Sequence, residues 1–156
     1  MSREIERVFL VARRPRNLAR RPHARIRQGY LVIAKDASEV RIRQIGSRHV
    51  LTWKGRGKLA RDEIEIGLSR RQFEALWPAS APRRLHKTRY RIRWRGHTIE
   101  LDVFAGKLKG LVLAEVEFGS PAQSRRFRPP AWFGREVTRE ARYKNQNLAV
   151  HGLPKH

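Results

Sequence analysis

The chain has 156 residues, enough for one domain with its own hydrophobic core, and it contains no cysteine. The lack of cysteine excludes disulfides, thiolate metal sites and cysteine nucleophiles. Its 36 Lys and Arg residues outnumber its 14 Asp and Glu residues, which gives a formal net charge of +22 at pH 7. This charge indicates polyanionic partners, although an arginine-rich, solvated surface without a partner has the same composition.

The sequence has no apolar run long enough for a membrane span or a signal peptide, because Glu4 and Glu6 interrupt the first apolar stretch. It also contains no internal repeat and no low-complexity tract. We therefore expect a single domain over residues 1–156, located in the cytoplasm and without a membrane partner.

Alternating apolar residues, separated by glycine-containing turns, predict eight β-strands joined mostly as hairpins. The expected strands lie near 3–11, 25–33, 39–45, 49–54, 60–67, 85–94, 97–104 and 110–118. Between the fifth and sixth strands, Ser69 is expected to cap a helix that runs to about Trp77 and is stopped by Pro78. Near the end of the chain, Thr138 is expected to cap a second helix, and a short third helix is expected over 121–127. The second helix would place on one face Ala141, Asn145 and Leu148.

The segment between the first two strands is strongly basic. Residues 13–27 could form an arm that grips phosphates, or they could form a solvated loop and helix. The segment has no aromatic residues among its arginines to stack on bases. The sequence alone leaves both interpretations open.

Charges of one sign recur two residues apart inside apolar stretches. Because successive side chains of a strand point to opposite faces, each pair lies on one face and the intervening residues make the other face apolar. A sheet with one solvated face shows the same alternation, but such a face would mix its acids with the abundant Lys and Arg. The six pairs are Glu4/Glu6, Arg41/Arg43, Glu63/Glu65, Lys87/Arg89, Glu100/Asp102 and Glu115/Glu117.

The segregation of these pairs favours a barrel whose charged faces point inward. Eight strands suit a closed barrel, and inward acids are tolerable only if cations neutralise them. We therefore predict an α+β protein: an eight-stranded antiparallel β-barrel, or tunnel, with a charged lumen and helices packed outside. Eight inward bases would balance the eight paired acids and leave the net charge on the exterior. These bases are Arg41, Arg43, Lys54, Arg61, Lys87, Arg89, Arg91 and Arg93.

The charged pairs belong to a longer, ordered set of short motifs. The set consists of EIERVFLV at 4–11, RQGYL at 27–31, RIR at 41–43, TWK at 52–54, RDEIE at 61–65, KTRY at 87–90, ELDVF at 100–104, EVE at 115–117, PPAWFG at 129–134, EVT at 136–138 and YKN at 143–145. Together these motifs resemble the CYTH superfamily, the triphosphate tunnel metalloenzymes, and most closely its bacterial inorganic triphosphatases.

This resemblance implies metal-dependent hydrolysis of the terminal phosphate of inorganic tripolyphosphate or a related triphosphate. The implied ligands of Mg²⁺ or Mn²⁺ are Glu4, Glu6, Glu115 and Glu117. The implied phosphate-binding residues are Arg41, Arg43, Lys54, Arg61, Lys87 and Arg89. The implied catalytic residues are Glu63 and Glu65, as further ligands or water-orienting groups, together with Lys87. Carboxylates suit these hard cations, and guanidinium groups match phosphate oxygens in pairs.

One position departs from the family pattern. The opening signature is Glu-x-Glu-x-Lys, and its lysine falls on Val8. Arg7 cannot replace that lysine, because strand geometry turns residue 7 to the other face. Arg91 or Arg93 could supply the charge if either lies deep enough in the tunnel.

Three alternatives therefore stay open at the level of the sequence. Val8 permits a catalytically weak module that binds triphosphate or polyphosphate without hydrolysing it. The basic exterior permits a nucleic-acid-binding protein, and the fold also permits an RNA 5′-triphosphatase. The identity of the triphosphate and the oligomeric state are open too, with a homodimer among the alternatives.

Overall fold

The computed structural model describes residues 2–3, 5–56 and 61–155. Glu4, one of the predicted metal ligands, lies outside the described residues. The framework is one antiparallel sheet in the order β1-β6-β5-β4-β3-β7-β8-β9-β2-β10. Its strands are β1 Ser2–Arg3, β2 Glu6–Val11, β3 His23–Ile33, β4 Glu39–Ile45, β5 Arg48–Lys54, β6 Asp62–Leu68, β7 Arg84–Trp94, β8 His97–Ala105, β9 Val112–Glu117 and β10 Phe133–Glu136.

The sheet curls into a barrel-like form, because the consecutive strands β1 and β2 pair with strands at opposite ends of the strand order. β1 pairs with β6, with Ser2 opposite Glu63. β2, which only two residues separate from β1, pairs with β9. The barrel-like form and the eight predicted strands are thereby confirmed. The first predicted strand is divided into β1 and β2, and the short β10, which pairs with β2, was not predicted.

Helix α1, Arg70–Leu76, begins where the sequence predicts. Its capping box is complete: Ser69 Oγ accepts from the Gln72 amide at 3.0 Å, and Gln72 Oε1 accepts from the Ser69 amide at 2.8 Å. A 3₁₀ turn over Trp77–Ser80 follows α1. Helix α2, Pro121–Arg126, is capped by Ser120. Within the described ranges, no helix is long and apolar enough to cross a membrane.

The predicted cap of the last helix is wrong. Helix α3 spans Asn145–His151, and a separate 3₁₀ turn covers Ala141–Tyr143. Thr138 cannot cap a helix because its hydroxyl is bonded elsewhere: it accepts from the Val8 amide at 3.0 Å and donates to Glu136 at 2.6 Å. Thr138 therefore ties the C-terminal segment to β2.

An outer cluster covers the outward face of β2, β8 and β9. Phe118 and Phe127 come from the segment after β9 and pack on side chains that point away from the lumen. This packing buries the apolar face that an inside-out charged barrel must cover. The buried members of the outer cluster are Phe9, Ile92, Ile99, Leu101, Ala114, Val116, Phe118 and Phe127.

An end cluster closes one end of the barrel interior. Adjacent inward positions change from polar to apolar along five strands, at Glu6/Val8, Gln28/Tyr30, Leu85/Lys87, Asp102/Phe104 and Leu113/Glu115. The C-terminal segment fills the space between these apolar groups with Val137, Tyr143 and Leu148, and Leu148 is fully buried. The barrel interior therefore ends in an apolar wall.

Leu148→Ala should destabilise the fold, because it empties a fully buried site where α3 meets the strands. We expect the free energy of unfolding to fall by about 2–5 kcal/mol. Urea denaturation measures this change. Val150→Ala on the same helix is the matched control, because Val150 is 46% exposed, and its change should stay within about 0.5 kcal/mol. Equal losses in the two variants would contradict the assigned packing of α3.

Candidate active site

A cavity of about 280 Å³ lies inside the barrel. Its described lining includes nine acidic and nine basic side chains, so the lumen is near neutral, as expected. The acids are Glu6, Glu39, Glu63, Glu65, Glu100, Asp102, Glu115, Glu117 and Glu140. The bases are Arg41, Arg43, Arg48, Lys54, Arg61, Lys87, Arg89, Arg91 and Lys144. The remainder of the sequence holds 27 bases and 5 acids and thus carries the whole net charge of +22.

The cavity collects the residues singled out in the sequence. Apart from Glu4, all the residues with predicted metal-binding, phosphate-binding or catalytic roles line it. Arg91 lines it as well, and is exposed. Arg93, which was expected to share the inward face, is exposed and does not line the cavity. Arg93 lies next to the β7–β8 turn at Arg95 and Gly96, and therefore beyond the end of the cavity.

The strand order divides the lumen into an acidic side and a basic side. The acidic side consists of inward carboxylates from β8, β9, β2 and β6, which follow one another where the sheet curls back on itself. The basic side consists of inward bases from β5, β4 and β7, with β3 between β4 and β7. A ligand that combines an anion with a metal cation is complementary to such a lumen.

Asp102 is the buried anion that organises part of the basic side. It accepts from Lys87 Nζ at 2.8 Å and, as a bidentate partner, from Arg89 at 2.7 and 2.9 Å. Arg89 also contacts Glu100 at 3.1 Å and Glu115 at 3.2 Å. Lys87 donates in addition to Asn145 Oδ1 at 3.1 Å. Asp102 thus fixes two predicted phosphate-binding side chains, a role that the sequence prediction did not assign.

The charge states of this network follow from burial and pairing. Burial lowers the pKa of Lys87 to about 8, although Asp102 acts in the opposite direction. Burial alone would raise the pKa of Asp102, but Arg89 and Lys87 hold it below its ordinary value. Asp102 therefore stays ionised at neutral pH, while Lys87 can release its proton under mildly alkaline conditions.

Arginines of the basic side lie close enough to repel one another. Burial, together with the charges of Arg41 and Arg89, lowers the pKa of Arg43 to about 10. Arg43 Nη2 is steadied by Glu65 Oε1 at 2.9 Å, and the same oxygen accepts from Thr52 at 3.1 Å. Clustered guanidinium groups of this kind favour a bound polyanion.

Carboxylates of the acidic side also face one another. The sheet register places Glu6 opposite Glu117 and Glu100 opposite Glu115. Burial would raise the pKa of Glu115, but a hydrogen bond with the Glu6 carboxyl and nearby cations hold it below its ordinary value. Two carboxyl groups in such contact share either a proton or a cation. Their hard oxygen donors fit Mg²⁺ or Mn²⁺.

The described acids do not yet form a complete metal site. Among the residues with assigned positions, no group of three carboxylate or imidazole side chains is arranged to hold an ion. Glu4 lies outside the described residues, so its predicted place beside Glu6 stays a prediction. Metal binding by Glu4, Glu6, Glu115 and Glu117 likewise stays a prediction. The positions of Glu6, Glu115 and Glu117 on the acidic side are compatible with it.

Arg61 differs from the other predicted phosphate-binding residues, because most of its donors are engaged. It donates to Gly55 O at 2.8 Å, to Ala37 O at 2.6 Å and to Glu39 Oε1 at 3.2 Å. Gln146 on α3 donates to the same Glu39 oxygen at 2.9 Å. This arrangement suits a residue that positions the loops beside the cavity. Its direct contact with phosphate stays a prediction.

The C-terminal segment contributes site residues that sequence reasoning missed. Lys144, Asn145 and Gln146 line the cavity at the start of α3. Tyr30, whose approach to the lumen the sequence left open beside ordinary packing, lines the cavity from β3. Burial raises the pKa of Tyr30 well above its usual range, so the phenol keeps its proton. Residues 143–145 match a motif of the family, and this match could have indicated that the start of α3 lies in the site.

Comparisons with known proteins agree with this geometry. The CYTH domain profile matches residues 2–152. The chain is 50% identical over 149 residues to an inorganic triphosphatase of Nitrosomonas europaea, covering 94% of this chain and 97% of the relative. It is 35% identical over 159 residues to an inorganic triphosphatase of Acetivibrio thermocellus, covering 95% and 94%. The crystal structure of the inorganic triphosphatase NE1496 superposes with a TM-score of 0.74 at 46% identity and covers 97% of each chain.

The chain is thus a β-barrel protein with a divided, charged lumen, and its sequence matches the CYTH profile over nearly its whole length. It belongs to the CYTH domain family.

Asp102→Asn should destabilise the protein, because it leaves Lys87 and Arg89 buried beside a neutral group. Removing one partner of a buried ion pair typically costs about 3–5 kcal/mol in free energy of unfolding. Urea denaturation at pH 7 measures the change. Asp36→Asn is the control for loss of one negative charge. Asp36 lies in an exposed turn, where its side-chain oxygen accepts hydrogen bonds from Ser38, and these bonds are the main reason that its pKa is lowered. An Asn side chain can accept the same bonds. Equal stability of the two variants would contradict the assigned role of Asp102.

Proposed function

We propose that this protein is a divalent-metal-dependent triphosphatase that hydrolyses the terminal phosphate of inorganic tripolyphosphate. The observation that carries the proposal is the division of one lumen into an acidic side and a basic side. The relatives named as inorganic triphosphatases support the choice of reaction. A cytoplasmic location and one functional unit over residues 1–156 are part of the same proposal.

The basic side would bind the substrate. Arg41, Arg43 and Arg89 present guanidinium groups, which match phosphate oxygens bidentately, while Lys54 and Lys87 act as point charges. Phosphoryl transfer depends mainly on alignment and on stabilising charge in the transition state. Asp102 holds Lys87 and Arg89, and Glu65 holds Arg43, before substrate arrives, so these three side chains need little reorganisation on binding.

The acidic side would hold the metal through Glu6, Glu115 and Glu117, together with Glu4. A bound Mg²⁺ or Mn²⁺ supplies charge neutralisation at the phosphoryl oxygens and lowers the pKa of a coordinated water. Glu63 and Glu65 line the cavity from β6, where they would orient a water molecule. Lys87 would donate a hydrogen bond to the phosphate oxygens on which charge develops.

The apolar wall of the end cluster supports a short substrate. Val8 and Leu113 face the cavity at this end and cannot hydrogen-bond to further phosphates. A short chain of phosphates would end at this wall. We therefore propose inorganic tripolyphosphate rather than a long polyphosphate as the substrate.

Glu6→Gln and Glu115→Gln should each nearly abolish phosphate release, because each removes a proposed metal ligand without changing side-chain shape. We expect kcat/KM for tripolyphosphate to fall at least about 100-fold, comparable to the loss of one transition-state contact. The measurement is phosphate release with Mg²⁺, Mn²⁺ or chelator, from a panel of four substrates: tripolyphosphate, ATP, thiamine triphosphate and 5′-triphosphorylated RNA. Glu74→Gln on α1, which does not line the cavity, is the control. Full turnover in both lumen variants, or turnover in chelator, would refute the proposal.

A second candidate function is triphosphate binding without efficient turnover, and Val8 is the observation that favours it. Val8 lines the cavity, lies opposite Glu115 in the sheet register and packs against the end cluster. The family signature places a lysine at this position, so the lumen lacks one cation there. Calorimetry that shows metal-dependent binding, in the absence of phosphate release, would select this candidate.

Val8→Lys tests what the missing cation costs. An ammonium group at this inward position would lie beside the acidic side and within reach of bound phosphate. We expect a gain in kcat of up to about 10²-fold with tripolyphosphate, measured by phosphate release. Val8→Met is the control, because it lengthens the side chain without adding charge. An unchanged kcat in Val8→Lys would show that other cations already supply this charge.

A further inference from the structure

Ten exposed arginines on the outside of the barrel form what we call the arginine surface. They come from three segments far apart in sequence: the loop between β2 and β3, the tip of the β7–β8 hairpin, and α2 with the residue that follows Phe127. All ten are exposed. They are Arg13, Arg14, Arg16, Arg20, Arg21, Arg93, Arg95, Arg125, Arg126 and Arg128.

Direct contacts hold the three segments together. The Ala12 amide donates to Trp132 O at 3.1 Å, and the Arg91 amide donates to Pro22 O at 2.9 Å. Trp94 Nε1 donates to Arg128 O at 3.0 Å. Leu18, Trp94 and Trp132 all pack against the outer cluster. The three segments that carry these arginines therefore adjoin one another beside the outer cluster.

Tertiary packing also places aromatic rings among these arginines, although the basic segment 13–27 contains no Phe, Tyr or Trp. Tyr90, Trp94 and Trp132 are partly exposed, and the exposed His23 ring lies 5.1 Å from that of Tyr90. The Arg95 guanidinium lies 5.0 Å from the Trp94 ring centroid. The combination of flat rings and cations is the one that single-stranded nucleic acids use, by stacking and phosphate contact.

The arginine surface contains almost no compensating acid. No ion pair between described residues involves any of the ten arginines. The described acids outside the cavity are Asp36, Asp62, Glu74 and Glu136. Only Glu136, on β10, adjoins this face, and Arg7 holds it through bonds of 2.7 and 3.0 Å. The local charge is thus strongly positive and independent of the neutral lumen.

We propose that the arginine surface binds single-stranded nucleic acid, through phosphate contacts to the arginines and stacking of bases on the aromatic rings between them. The partly exposed rings favour a polyanion with bases over inorganic polyphosphate, which has nothing to stack. They also favour it over an anionic membrane, because Trp94 and Trp132 are packed into the outer cluster rather than projecting from it. This binding goes beyond the proposed hydrolysis and does not depend on it.

The first test is the affinity of the full chain for a fluorescent 15-nucleotide oligouridylate, measured by anisotropy from 50 to 300 mM salt. Neutralising four or five phosphates predicts a log–log slope of about −3 for a single strand. An abasic oligomer of the same length carries the same charge without bases, and we expect it to bind about tenfold more weakly. Equal affinity for the abasic oligomer or for polyphosphate would overturn the proposal in favour of a general polyanion surface.

The second test compares two triple variants with the same change in net charge. Arg13→Glu/Arg14→Glu/Arg16→Glu reverses part of the arginine surface, and we expect the Kd for the oligomer to rise at least about tenfold at 100 mM salt. Lys35→Glu/Arg70→Glu/Arg71→Glu reverses exposed charges at the β3–β4 turn and on α1, which packs on β4 and β5. We expect this control to retain most of the affinity.

Equal losses in the two triple variants would show that net charge alone attracts the oligomer, and would overturn the proposal. Binding of either variant or the parent to phosphatidylserine vesicles, without binding to the oligomer, would overturn it as well. Circular dichroism of all three proteins checks that the fold is intact. None of the six substituted residues lines the cavity, so we also expect unchanged phosphate release from tripolyphosphate.

Discussion

The fold depends on one constraint: charges that point into a barrel must neutralise each other there. Nine acids and nine bases of the described residues, most of them on strands, surround one cavity, and Asp102, buried between Lys87 and Arg89, shows how the balance is achieved. Each ion pair offsets a desolvation cost that either partner alone could not bear. The same constraint forces the apolar faces outward, and the outer cluster exists to cover them.

The segregation of sign gives this neutral lumen its chemical character. Acids and bases that alternated around the lumen would also have given it no net charge. Such a lumen would have had no acidic region for a metal cation beside a basic region for phosphate. Here the acids of β8, β9, β2 and β6 are neighbours, and the bases of β5, β4 and β7 form the other side, which meets the acids where β5 pairs with β6 and β7 pairs with β8. Like charges held together repel, and they are best satisfied by a ligand that brings its own metal and phosphates.

Much of the fold and of the candidate site could be predicted because both rest on local periodicity. A period of two puts Glu115 and Glu117 on one face of β9 regardless of what packs on it. The cap at Ser69 was predictable for the same reason, since its partner Gln72 is three residues away. Thr138 carried the same local signal and failed as a cap, because β2, 130 residues away in sequence, bonds its hydroxyl through the Val8 amide. Rules based on neighbouring residues cannot predict that a distant strand will bond the capping side chain.

The sequence by itself determined which residues share a strand face, and therefore which charges enter the lumen and that the net charge of +22 lies outside it. Only the tertiary structure decided how those residues are used. It committed Arg61 to the loops at Gly55 and Ala37, brought Asn145 to Lys87, and brought Arg128 to Trp94. The physical reason is range: strand alternation acts between neighbours, whereas hydrogen-bond partners and surface patches depend on segments that meet only when the barrel closes.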